Sequence, residues 1–162
     1  MNYYNDNGII KRALMNYLPN AFDPPVWYLV MPICGVAGEA FTEKRYADIL
    51  AARLNSDQRN ALIKVEDYTF MPSAVHLIIR EVALSLDIWW PAFMTAILEE
   101  LNKKWPGGGL SWCDYTSERI ADAEAFEHRA YELLYLPVWK GLATDPEGYA
   151  YNSVNNRARI DL

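Results

Sequence analysis

The chain has 162 residues, 52% of them hydrophobic and 22% charged, which suffices for the core of one ordinary globular domain and leaves too little length for a second. Fifteen Lys and Arg stand against 21 Asp and Glu, a net charge of −6, so the surface as a whole repels polyanions and excludes non-specific coating of nucleic acid. No apolar run approaches the roughly 20 residues of a bilayer span, and the opening Met1 to Asn7 is polar, so a soluble, cytoplasmic chain with no membrane role is expected.

Residues 1–25, rich in Asn, Tyr and Pro, read as a leader arm with one amphipathic fragment, Ile9 to Leu18, before Pro19 and Pro24-Pro25 break any helix. Residues 26–162 read as a single domain. Val26 to Met31 is short, apolar and bounded by prolines, the pattern of a buried strand. Thr42 can cap a helix from Glu43 to about Asn55, with Tyr46, Ile49, Leu50 and Leu54 on one face. Ala61 to Phe70 and Ala74 to Arg80 read as strands joined by the turn Met71-Pro72-Ser73, hence a hairpin. A helix from Trp89 to Trp105 places Phe93, Ile97, Leu98 and Leu101 together and is stopped by Pro106 and Gly107 to Gly109. Leu110 to Tyr115 reads as a short strand, and Asp122 to Leu136 as a helix ended by Pro137. Beyond Leu142 the tail is polar and turn-rich. This order of elements is an α+β pattern, whose simplest realisation is a ferredoxin-like antiparallel sheet with flanking helices on one side.

Two cysteines, Cys34 and Cys113, are too few for a thiolate metal site and are expected as free thiols in a reducing compartment. His76 and His128 lie far apart, with no Cys or second His at the spacing of a zinc site, and His128 beside Glu127 and Arg129 reads as a surface residue. Gly107 to Gly109 lead into Leu110 and Ser111 rather than a Lys-Ser or Lys-Thr, so they read as a turn and not a phosphate loop. Exposed aromatics can stack unpaired bases, but aromatics at helical or strand spacing are usually core. His76 stands out because it interrupts an apolar strand just after a Met-Pro turn. Ala74 and His76 share one strand face, where a histidine either helps to hold a metal or sits half-buried with a backbone partner.

Met71-Pro72-Ser73-Ala74-Val75-His76-Leu77-Ile78 resembles the Met-Pro-Asn-His-Val-His-Leu-Leu signature of the REP-associated tyrosine transposases, a branch of the IS200-like single-tyrosine HUH nucleases. A second landmark of that family, Asn-Pro-Val followed by Gly-Leu and then Pro-Glu-x-Tyr with an aromatic before Ser, has its counterpart in Leu136-Pro137-Val138, Gly141-Leu142 and Pro146 to Ser153. With Trp112 matching a family tryptophan and Val26 to Ile33 the first strand, the resemblance covers almost the whole chain after the leader. It implies a single-tyrosine transposase fold, two strand histidines holding Mg or Mn, a helix tyrosine that attacks single-stranded DNA, and homodimers. Ala74 stands at the first histidine, leaving His76 as the one metal position, and Ala96 stands at the nucleophile on the helix Phe93 to Asn102. Cys113 replaces a glutamine, Met94 a lysine and Leu136 an asparagine, while Tyr115 and Tyr131 lie on other elements. An alanine has no lone pair for a cation and no hydroxyl for attack.

The resemblance and these departures together imply a catalytically inactive, transposase-derived domain that recognises single-stranded or hairpin DNA without cutting it and needs no cofactor. Lys103, Lys104, Arg119 and Arg129 are its candidate phosphate contacts. Two alternatives stay open. One is an acidic protein-interaction or regulatory subunit that docks a protein partner; the other is a transposase inactivated by substitution or using a displaced nucleophile. A homodimer through Trp89-Trp90 and the apolar face Phe93 to Leu101 is a further expectation.

Overall fold

A computed structural model describes residues 22–34, 41 and 43–162. The amphipathic fragment Ile9 to Leu18 and the capping Thr42 lie outside them. Five antiparallel strands form one sheet: β1 (Val26–Cys34), β2 (Ile63–Met71), β3 (Ala74–Glu81), β4 (Ser111–Trp112) and β5 (Thr116–Ile120). Three helices accompany them, α1 (Lys44–Arg59), α2 (Leu86–Lys104) and α3 (Ala123–Trp139). β1 is central, with the β2–β3 hairpin on one side and β4 and β5 end to end on the other. Pro32 accepts the Cys113 N–H in the break between β5 and β4, a place where a central strand tolerates a missing donor.

Apart from a register shift between Val65 and Asp67 of β2, the sheet alternates, and each of its faces carries its own cluster. Leu29, Met31, Ile33, Leu77 and Ile79 point into a core with Tyr46, Leu50 and Leu54 of α1 and Trp89, Phe93, Ile97 and Leu101 of α2. Val26, Ile78 and Ile120 point the other way, against Phe126, Ala130, Leu133 and Leu134 of α3. The expectation of helices on one side therefore holds for α1 and α2 only. Each of these two crosses between parallel strands, and such crossovers share one hand and so one face. No strand follows α3, so it is free to cover the opposite, otherwise naked face.

Several boundaries differ from the sequence reading for local reasons. α2 starts at Leu86, where Glu81 Oε1 accepts the Leu86 N–H at 2.9 Å and the Trp27 indole N–H at 2.9 Å. α3 runs through Pro137 to Trp139. The proline removes the donor that would have bonded Leu133 O, and the Thr69 hydroxyl of β2 donates to that carbonyl instead, at 2.9 Å. β5 was not expected at all: four of its five residues are exposed, so it shows no apolar alternation. The three consecutive glycines form the expected turn, all at positive φ.

The tail is turn-rich yet closely held. Its backbone exchanges hydrogen bonds with the edge strand β2, Phe70 N–H to Tyr151 O at 2.8 Å and Ser153 N–H to Tyr68 O at 3.0 Å, and the Tyr149 hydroxyl caps Phe70 O at 2.7 Å. Buried Asn152 accepts from Val154 N–H and Asn155 N–H and donates to Pro146 O. The second sequence landmark thus has a structural task, closing an open sheet edge. Cys34 and Cys113 are not free thiols: β1 and β4 bring their Cα atoms to 5.5 Å and the two are joined as a disulfide.

Candidate functional site

The sheet face beneath α3 holds Ala74 and His76. His76 lies directly across from Val30 on one side and Thr69 on the other, and its Nδ1 is 2.8 Å from the Tyr28 hydroxyl. Its partner is thus a side chain rather than the backbone group expected. Burial lowers the pKa of His76 from 6.5 to about 4 and raises that of Tyr28 to about 12, the latter offset in part by Arg129, so both groups are neutral near pH 7.

Arg129 of α3 lies over the Tyr28 ring at 5.3 Å and is bridged to Glu118 of β5 and, at 2.5 Å, to Glu132. Glu132 also lies 3.7 Å from Nδ1 of His128, which is exposed as expected. The sequence offered Arg129 as a phosphate contact, but two carboxylates already occupy its fork. Tyr28, Glu118, Glu132 and Thr69 went unnoticed because their roles depend on strand register and on α3 crossing the sheet.

The remaining expected residues lie elsewhere. Ala96 is on α2, across the sheet from His76, in a groove also lined by Arg45, Asp48, Arg53, Glu100 and Lys104. The structure therefore does not bring Ala74, His76 and Ala96 into one site: α3, rather than α2, covers the histidine. Cys113 is consumed in the disulfide. Lys103 is exposed and paired with Glu100 at 2.7 Å, which raises its pKa; Lys104 is exposed beside it. Arg119 is exposed on β5 in register with Trp27, so it belongs to the α1–α2 face with the two lysines. The expected dimer surface is likewise internal, since Trp89, Trp90, Phe93, Ile97 and Leu101 are core.

The divalent cation implied by the resemblance needs converging donors. Ala74 presents a methyl group, the Nδ1 of His76 is engaged by Tyr28, and among the described residues no group of three or more His, Cys, Asp and Glu side chains is placed to hold a metal ion. These residues do not fit it, and no chemical step is derived through one. Nor is any helix among the described residues long and apolar enough to cross a membrane.

Comparison with known proteins agrees with this architecture. No protein-family model matches the chain, and no curated protein does. Among solved structures it is similar to that of a REP-associated tyrosine transposase bound to a REP hairpin, with a TM-score of 0.66 and 11% identity over 80% of this chain and 76% of that one. A candidate transposase from Deinococcus radiodurans R1 matches with a TM-score of 0.49 and 16% identity, over 66% of this chain and 88% of that one. The chain has the α+β, ferredoxin-like fold of the hairpin-bound transposase, an antiparallel five-stranded sheet with three helices.

Proposed function

We propose that the chain is a transposase-derived domain that recognises single-stranded DNA folded as a hairpin and does not cut it. The observation that carries this reading is a fold like that of a hairpin-bound transposase in which the expected cutting positions hold Ala74 and a His76 engaged by Tyr28. Attack on a phosphodiester needs an activated nucleophile and stabilisation of the charge that develops on the phosphate. The Tyr28 hydroxyl beside His76 is not activated, since burial raises its pKa to about 12, and among the described residues no cluster of His, Cys, Asp and Glu is placed to hold a metal ion that would stabilise that charge. Exposed Lys103, Lys104 and Arg119 remain as phosphate contacts, and a few contacts on an acidic protein make binding local and salt-sensitive.

The test is binding of hairpin and linear single strands across a salt series, with a denaturing gel run on the same samples. Hairpin preference that falls with salt and with the Lys103→Ala/Lys104→Ala pair, without a cut product, is expected. No binding at low salt refutes recognition, and a cut strand refutes inactivity.

A second reading, an acidic protein-interaction or regulatory subunit on the same fold, is favoured by one particular observation. The cation on the His76 face, Arg129, is already bridged to Glu118 and Glu132, whose charges oppose an approaching phosphate.

A further inference from the structure

We propose that the outward face of α3 docks a basic, arginine-rich segment of a partner protein. The proposal is independent of hairpin binding and names the partner chemistry that the second reading lacks. Tyr131, Tyr135 and Trp139 recur every fourth residue on α3; Tyr135, half-buried, packs against the cluster of Phe126, Ala130, Leu133 and Leu134 and carries the exposed Tyr131 and Trp139 on either side of it. Tyr131 and Tyr135 stack with centroids 4.4 Å apart, and Trp139 lies 6.1 and 6.2 Å from them. Tyr131 and Trp139 are 44% and 56% exposed, so these two rings are not finishing the core.

Charge selects the occupant. Glu124 and Glu127 continue the stripe toward the helix N-terminus, and Glu132, bridged to Arg129, follows Tyr131 directly on the helix. A polyanion approaching these rings meets carboxylates, and an aliphatic surface covering them leaves carboxylates stripped of water. A guanidinium satisfies both, lying over a ring face while its N–H groups reach a carboxylate. The domain already contains this arrangement at Arg129 over Tyr28 and at Arg45 over Tyr46, 5.3 and 4.6 Å from the ring centroids.

Fluorescence anisotropy of a labelled eight-arginine peptide, titrated with the full chain, tests the assignment against eight-lysine and Gly-Ser peptides. The arginine peptide is expected to bind most tightly. Tyr131→Ala and Trp139→Ala should each weaken it by roughly two- to fivefold, as exposed cation–π contacts do. Glu124→Gln should weaken it too, whereas Asp48→Asn, the same change of charge on α1, should not. Circular dichroism melts establish that each variant is folded. No binding, or an affinity that follows net charge and ignores both ring substitutions, overturns the proposal. Two other results also overturn it. Binding of a 20-nucleotide thymidine strand that Trp139→Ala abolishes would assign the rings to nucleobases, and self-association in sedimentation that Trp139→Ala reverses would assign them to a second copy.

Discussion

At the scale of single residues, His76 couples the sheet to pH. In the unfolded chain its imidazole takes up a proton near pH 6.5, and in the folded one burial delays this to about pH 4. Between those values the unfolded state binds more protons, so stability is fully present above about pH 6.5 and falls as the pH drops toward 4. A shift of this size corresponds to about 3 kcal/mol. Urea unfolding at pH 7.5 and 4.5 should therefore show a smaller acid-induced loss in His76→Gln than in the parent; equal losses would refute the assignment. Tyr28→Phe removes the hydroxyl that meets Nδ1 and should cost about 1–2 kcal/mol at neutral pH without changing the fold, as read from the urea midpoint and circular dichroism. His76 itself was conspicuous in the sequence, as a polar residue in an apolar strand. Its partner was not, because Tyr28 lies 48 residues away and only strand register brings them together.

Among the elements, α3 and the tail show most clearly why local pattern is insufficient. Proline ends a helix when the carbonyl it orphans has no other donor, and Thr69 supplies that donor from a strand 64 residues earlier. Thr69→Val should therefore leave Leu133 O buried and unsatisfied, at a cost of about 1–3 kcal/mol. If α3 frays there, hydrogen exchange of Val138 to Gly141 will rise with it. Asn152→Ala, which removes three hydrogen bonds at a buried position, should cost more and release the tail from β2. Exchange at Phe70 and Ser153, whose amides bond across that seam, reports it directly. By contrast α1, α2 and the β2–β3 hairpin were legible from apolar periodicity and turn residues, since their own amphipathic faces build the larger core.

For the molecule as a whole, the disulfide and the two-sided sheet decide what the fold can do. The bridge closes a separation of 79 residues between β1 and β4, and β4 itself contributes only two residues to the sheet. Loop-closure entropy then predicts a loss of about 4 kcal/mol on reduction or in Cys34→Ser. Equal urea midpoints with and without dithiothreitol would contradict it. The two faces also divide the charged residues: Lys103, Lys104 and Arg119 lie with α1 and α2, while Arg129 is on α3 between Glu118 and Glu132. The four do not form one cationic patch, so the lysine pair is the substitution that most directly tests DNA recognition.

By itself the sequence determined the α+β class, the hairpin, all three helices within a few residues, and the alanine two places before His76. Each of these depends on spacing along the chain or on the atoms of one side chain. Only the tertiary structure decided that α3 and α2 lie on opposite faces, that Ala96 is therefore remote from His76, that Arg129 is already neutralised and that the cysteines meet. Those facts depend on which distant elements pack together, and packing is set by the combined burial of all the apolar faces, which no single segment records.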